Sequence, residues 1–219
     1  PGAMRPFKLL LDLLYPPKWP FCGQVLERGE EGWCAACQRD LPWTEPGEGK
    51  AVEGCALCLS PLWYRDGVRE GVHRYKFGGG RGHAALFGAL MAQCLQDRWE
   101  SPVDLITWAP LHPARKKKRG YDQAELLARR VGELSGLPVE PTVEKLRATA
   151  VQSQAGADEA RRANVQGAYR ALPGLDLTGM RVILVDDVAT SGATLAQCAA
   201  ALREAGAETV AGLTLARAR

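Results

Sequence analysis

No run of apolar residues in this 219-residue chain reaches the roughly 18 to 20 that a membrane-spanning helix requires. The apolar stretch near the N-terminus, Leu9 to Leu14, is interrupted by Asp12, and no small-residue cleavage site follows it. Phe7, Leu10, Leu11 and Leu14 fall at helical spacing, so a short amphipathic helix is expected there instead of a signal peptide. Pro1-Gly2-Ala3 ahead of Met4 reads as a cloning remnant, and the expectation is a cytoplasmic protein without membrane insertion. Strong charge of either sign is also missing: 28 Lys and Arg against 25 Asp and Glu leave a formal net charge of +3. Bulk charge therefore does not announce nucleic-acid binding, and any basic patch must be local. Internal repeats, low-complexity tracts and the Gly-Lys-Ser/Thr of a nucleotide P-loop are absent as well, which removes ATP as the natural ligand.

Cysteine is present but unevenly spread. Five of the 7 lie between Cys22 and Cys58, while Cys94 and Cys198 sit inside apolar helical patterns and read as core residues. In a reducing compartment the clustered set favours metal over disulfides. "CAAC" (Cys34, Cys37) and "CALC" (Cys55, Cys58) are separated by 17 residues, which is a zinc signature: each pair forms a knuckle, and four thiolates close a tetrahedron. Such a closed site is structural, and Cys22 is the rival ligand. Residues 16 to 62 are rich in Pro, Gly, Cys and Trp with little periodicity, the texture of a module stapled by something other than an apolar core. The expected division is residues 1–62 as helix plus cysteine-rich module and 63–219 as the main domain.

Within that domain "HAALFGALMAQCLQ" reads as a helix, "VDLITWAP" as a buried strand and "DQAELLARRVGELSGLP" as a helix ending near Gly136. "LPVEPTVEKL" holds a further strand, "RVILVDD" a strongly apolar one, "TLAQCAAALREAGA" a helix stopped by Gly206, and "ETVAGLTLA" a last strand. Alternation of strands and helices predicts a parallel sheet covered on both faces, with ligands at the carboxyl ends of its strands.

Asp186 and Asp187 stand at such an end, followed by "VATSGAT" and a helix. A turn of small residues entering a helix N-terminus aims backbone N–H groups at one point, where the helix dipole adds positive potential. Thr190, Ser191 and Thr194 supply hydroxyls, Gly192 permits close approach, and Ala189 and Ala193 complete a cradle for phosphate. The two acids suit vicinal hydroxyls or a bound Mg²⁺. Phosphate beside two hydroxyls describes a ribose 5-phosphate; the plainer alternative is a strand-to-helix turn with capping residues. The stretch resembles the 5-phosphoribosyl-1-pyrophosphate (PRPP) signature of type I phosphoribosyltransferases, which implies that Asp186 and Asp187 meet the ribose hydroxyls and residues 189 to 194 the 5′-phosphate. Some purine-salvage members carry an Asp where Thr190 stands here.

"WAPLHPARKKKRGYDQAELLARR" places five consecutive cations, Arg115 to Arg119, after the end of another strand. They fit a solvated charge run, a clamp on a pyrophosphate leaving group with Arg115 and Arg119 foremost, or a DNA backbone. Asp122 and Glu125 have capping-box spacing. His112 fits the pyrophosphate side or a structural role, whereas His73 and His83 read as a surface residue and a helix start. "QSQAGADEARRANVQGAY" carries Gln154, Arg161, Arg162 and Asn164 in a polar stretch. In "HRYKFGGGRG" cations alternate with aromatics beside a Gly run, which suits single-stranded nucleic acid, a hood over a nitrogenous base, or a linker whose aromatics pack inward.

"PLHPARKKKRGYDQAELLA", "QSQAG…EARRANVQGAY" and "VILVDDVATSGAT", in that order behind a cysteine-rich N-terminus, resemble the ComF family from Phe7 onward. The resemblance implies an α/β fold: a type I phosphoribosyltransferase-like parallel sheet flanked by helices, behind a small zinc-ribbon-like module. It implies Mg²⁺-dependent binding of PRPP or a related ribose phosphate, a part in DNA uptake during natural transformation with single-stranded DNA and other transformation proteins as partners, and a ligand role for Lys76. It also implies departures. Trp19 stands where the family carries a first cysteine, leaving Cys22 single, and Asp122 stands where Asn is common.

Overall fold

The computed structural model describes residues 18–25, 34, 39–78, 80–147 and 167–219. The expected N-terminal helix at Phe7 to Leu14, Cys37, and the polar stretch holding Gln154, Arg161, Arg162 and Asn164 lie outside the described residues.

The strongly apolar segments form the sheet. Strand β6 (Arg181–Ala189) lies between β3 (Leu105–Trp108) and β7 (Thr209–Arg217), parallel to both. Two short strands, β1 (Cys58–Leu59) and β2 (Leu62–Trp63), pair in parallel with the far side of β7. Parallel strands buried on both sides need helices over both faces. On one face Ile183, Val185, Leu213 and Leu215 meet α1 (Asp66–Phe77), α2 (Ala84–Arg98) and α4 (Gln123–Ser135) through Val72, Phe87, Met91 and Leu127. On the other, Val182, Leu184 and Val210 meet Leu195, Cys198 and Leu202 of α5 (Ala193–Glu204).

Three segments differ from the sequence expectation. The sheet crosses the boundary expected at 62/63, because β1 and the first residue of β2 precede it, and Trp19, Phe21 and Leu41 enter the same core as α1 and α2. "HRYKFGGGRG" is not an extended linker: Arg74 to Phe77 are the last turn of α1, whose Val68, Val72 and Tyr75 are fully buried at helical spacing. "LPVEPTVEKL" does not add a full strand. Val139 makes one parallel bridge to Ile106, and then Val143–Lys145 (β4) pairs antiparallel with Tyr169–Ala171 (β5). Pro138 and Pro141 flank that bridge and lack the N–H a continuing ladder needs.

Residues 18–25 are held to α1 from both sides. Arg74 donates to the carbonyls of Pro20 at 2.8 Å and Phe21 at 2.9 Å, and a Cβ on Gly71 would sit 2.9 Å from the Pro20 carbonyl oxygen. Phe21 stacks at 5.3 Å on Phe87. Phe21→Ala is therefore expected to destabilise the sheet domain itself by about 3–5 kcal/mol, read as a lowered urea midpoint in one cooperative transition. An unchanged midpoint would show that this segment is not part of the core.

Candidate functional site

Strand β6 carries both acids before it ends at Ala189. Neighbouring strand residues point to opposite sides, and the partners show it. Asp187 meets α1, where Lys76 Nζ is 2.8 Å from Asp187 Oδ1. Asp186 faces the α5 side, within electrostatic reach of Cys198, Lys145 and Tyr169. Asp186 Oδ1 also accepts the Asp187 N–H at 2.8 Å. Burial, then the neighbouring Asp187 charge, push the Asp186 carboxyl up to about 7, against the pull of Lys76.

After Ala189 the chain turns through Thr190 and Ser191 into Gly192, which is the N-cap of α5 at φ 76. Only glycine takes that conformation without strain, and a Cβ there would also lie 3.0 Å from Val52 Cγ2. Ser191 Oγ accepts the Ala193 N–H at 3.4 Å. Thr190, Ser191 and Thr194 are half-buried, and the first turn of α5 carries no acid. The expected loop thus has the shape of a strand-to-helix anion cradle with the acids immediately before it.

The basic run is helical and not a flexible loop. Pro113–Arg119 (α3) is capped at its start by His112 Nδ1, which accepts the Ala114 N–H at 3.3 Å, and stopped by Gly120 at φ 84. That conformation splits the cations by direction. Arg115 and Arg119, one helical turn apart, are half-buried, while Lys116, Lys117 and Lys118 are exposed. Arg119 lies 4.9 Å over the Phe77 ring and feels the Asp187 charge, although burial draws its guanidinium below the ordinary value. Lys116 is spent on Glu125 at 2.7 Å. Burial works against the Lys76 ammonium, but Asp187 outweighs it and the net shift is upward. Lys76, Arg119 and Asp187 therefore form one charged group between α1, α3 and β6.

Two tyrosines hold that group in place. The Tyr75 hydroxyl donates to the Gln123 carbonyl at 2.9 Å, and the Tyr121 hydroxyl donates to the Tyr75 carbonyl. Asp122 is the N-cap of α4 as its spacing predicted, accepting the Ala124 N–H at 3.1 Å and the Glu125 N–H at 3.4 Å. It also accepts the Leu111 N–H at 2.7 Å, so one carboxylate fixes the turns on both sides of α3.

The hairpin adds two residues that pattern alone did not single out. Lys145 Nζ donates to the Tyr169 hydroxyl at 2.7 Å, and the Thr194 side chain stands within hydrogen-bonding reach of the same phenol. Burial and the neighbouring Arg115 draw the Lys145 ammonium down, while burial pushes the Tyr169 phenol up. The only signal for Lys145 in the sequence was its place at the end of a predicted strand.

Of the expected zinc set, Cys34, Cys55 and Cys58 are among the described residues. Among the described residues no three Cys, His, Asp or Glu side chains gather into a metal site. Cys58 is a fully buried strand residue in the α5-side cluster, which Cys55 borders, whereas Cys34 packs against the cluster on the other face. Cys22 is exposed, and Cys37 is outside the described residues. As free thiols, Cys55 is pushed up to about 11 and Cys58 up to about 12 by burial. Cys58 also pairs with β7 at the sheet edge.

No helix among the described residues is long and apolar enough to cross a membrane. Residues 117–219 match the phosphoribosyl transferase domain, and residues 10–65 match the double zinc ribbon domain, which supports zinc in the N-terminal module. The DNA utilization protein YhgH of Salmonella typhimurium is 33% identical over 216 residues, covering 86% of this chain and 92% of that one. Competence protein F of Haemophilus influenzae is 27% identical over 220 residues, covering 90% and 95%. Among solved structures, the glutamine PRPP amidotransferase from B. subtilis aligns at TM-score 0.41 and 25% identity over 60% of this chain and 26% of that one. The YhgH relative and the two domain matches establish that the chain belongs to the ComF family, a phosphoribosyltransferase fold behind a double zinc ribbon module.

Proposed function

We propose that this chain is a cytoplasmic protein that binds PRPP in a Mg²⁺-dependent manner at the carboxyl end of β6 and acts in DNA uptake. The observation that carries this reading is the paired Asp186 and Asp187 directly ahead of a glycine-capped helix N-terminus, with cations drawn in from α1, α3 and the hairpin. Competence protein F and the DNA utilization proteins lend their names to the biological role.

The roles follow from position. Asp187 accepts a ribose hydroxyl once Lys76 turns aside, and Asp186 accepts the other when ionised. Residues 189 to 194 present N–H and hydroxyl donors to the 5′-phosphate. Arg115 and Arg119 reach the pyrophosphate side from one face of α3, where they stabilise negative charge as it leaves ribose C1. A Mg²⁺ ion suits this donor set, because its charge would offset the cost that burial and the neighbouring Asp187 place on an ionised Asp186; it would supply further neutralisation of the pyrophosphate. An acceptor nitrogen attacking C1 would complete phosphoribosyl transfer, and Thr190 offers it no carboxylate base.

A second reading treats the pocket as regulatory and the protein as a nucleic-acid binder. The exposure of Lys117 and Lys118 on the outer side of α3, away from the half-buried Arg115 and Arg119, favours it. Phosphate contacts from such side chains add to affinity without reading sequence.

Calorimetry with PRPP and Mg²⁺ tests the pocket. Binding is expected for the unmutated protein and lost in Asp186→Asn with Asp187→Asn; no heat from the unmutated protein would sink the proposal. Pyrophosphate release on adding a panel of nitrogenous bases separates transferase from binder. Loss of single-stranded DNA binding in Lys117→Glu with Lys118→Glu, with PRPP binding kept, supports the second reading.

Asp186 also makes a stability prediction. Its folded carboxyl sits at about 7, above the unfolded value, so the folded state holds the extra proton and stability falls as pH rises from about 4 through 7. Asp186→Asn removes that fall and is expected to be more stable than the unmutated protein at pH 8, by about 1–4 kcal/mol, because each tenfold change in proton affinity is worth about 1.4 kcal/mol. Thermal melts at pH 5 and 8 read it; an equal loss in both proteins would refute the assignment.

A further inference from the structure

The hairpin β4–β5 stands apart from the main sheet, yet it sets two polar side chains over the first turn of α5. Lys145 and Tyr169 are directly opposed in register, so they share one face. The Lys145 ammonium is 2.7 Å from the Tyr169 hydroxyl and 4.6 Å from the ring centroid. Tyr169, 8% exposed, is wedged into the cluster containing Leu195, Cys198 and Ala199, which fixes its ring against α5. The Gly167 N–H donates to Gln197 Oε1 at 3.0 Å and ties the end of the hairpin to the same helix. A chain of polar groups thus runs from Lys145 through Tyr169 to Thr194, the last residue of the expected phosphate loop. Burial and the nearby Arg115 weigh against the Lys145 ammonium, Asp186 and Asp122 offset this only in part, and a phosphate anion beside it would relieve the rest.

We propose that Lys145, positioned by Tyr169, binds the phosphate of a ribose 5-phosphate moiety seated on the loop 189 to 194. The proposal rests on reading this pocket as a ribose phosphate site. On ligand arrival the ammonium, which has three N–H donors, adds a bond to the phosphate while its bond to the Tyr169 hydroxyl keeps it over the helix N-terminus.

The test is calorimetry on the full chain with three probes: ribose 5-phosphate, PRPP with Mg²⁺, and inorganic pyrophosphate. Lys145→Met is expected to weaken ribose 5-phosphate and PRPP together by about ten-fold or more, the loss typical of a charge-assisted hydrogen bond, and to leave pyrophosphate unchanged. Lys145→Arg recovers part of the loss, and Tyr169→Phe, which keeps the packed ring, weakens the same two ligands by a smaller factor. If Lys145→Met melts early, Lys145→Gln with unchanged melting serves in its place. Wild-type affinity for ribose 5-phosphate in these variants overturns the proposal, including the case in which only PRPP and pyrophosphate weaken and Lys145 belongs to the leaving group. If the unmutated protein binds none of the three, the reading of the pocket falls with it; if it binds and the variants bind equally, only the role of Lys145 falls.

Discussion

Two carboxylates at adjacent positions of one buried strand are the constraint around which the rest is arranged. Both cannot be charged cheaply in a partly desolvated place. The strand divides them, sending Asp187 to Lys76 on α1 and Asp186 to the α5 side. Asp187 is matched by a cation of the chain. Asp186 has Lys76 and Lys145 within electrostatic reach, yet burial and the Asp187 charge push its carboxyl up to about 7.

That arrangement depends on elements distant in sequence. Lys76 reaches β6 because α1 packs through Val68, Val72 and Tyr75, and because Tyr75 and Tyr121 lock α1 to the start of α4. Arg119 reaches the same acid because α3 is a helix seven residues long, tied at both ends by Asp122 and His112. The cysteine-rich segment also takes part: Cys58 lies in the sheet and Val52 packs on the Gly192 cap. Residues 52 and 58 thus join the Gly192 cap and the sheet.

Much of the main sheet was legible in advance. "RVILVDD" and "ETVAGLTLA" are apolar enough to be buried on both faces, and the helices between strands carry their own stops, as at Gly136 with φ 72. The turn that carries the acid pair was legible because it is local: a strand end, small residues and a helix start are consecutive. Helix α1 was less so, since its last turn runs into a glycine-rich stretch that looks like a linker when read alone. Lys145 was hidden for another reason. A lysine at a strand end has no local mark, and its meaning comes from Tyr169 across the hairpin and Thr194 on α5.

The sequence by itself determined the order of elements, the turn after Asp187 and the family resemblance, because each is written in neighbouring residues. Tertiary structure decided which cations are half-buried and which face water, since the helix divides Arg115 and Arg119 from Lys116 to Lys118. It also decided where Cys58 lies: the sequence marks it only as one of a Cys-x-x-Cys pair, and the pairing of its strand with β7 places it at the sheet edge.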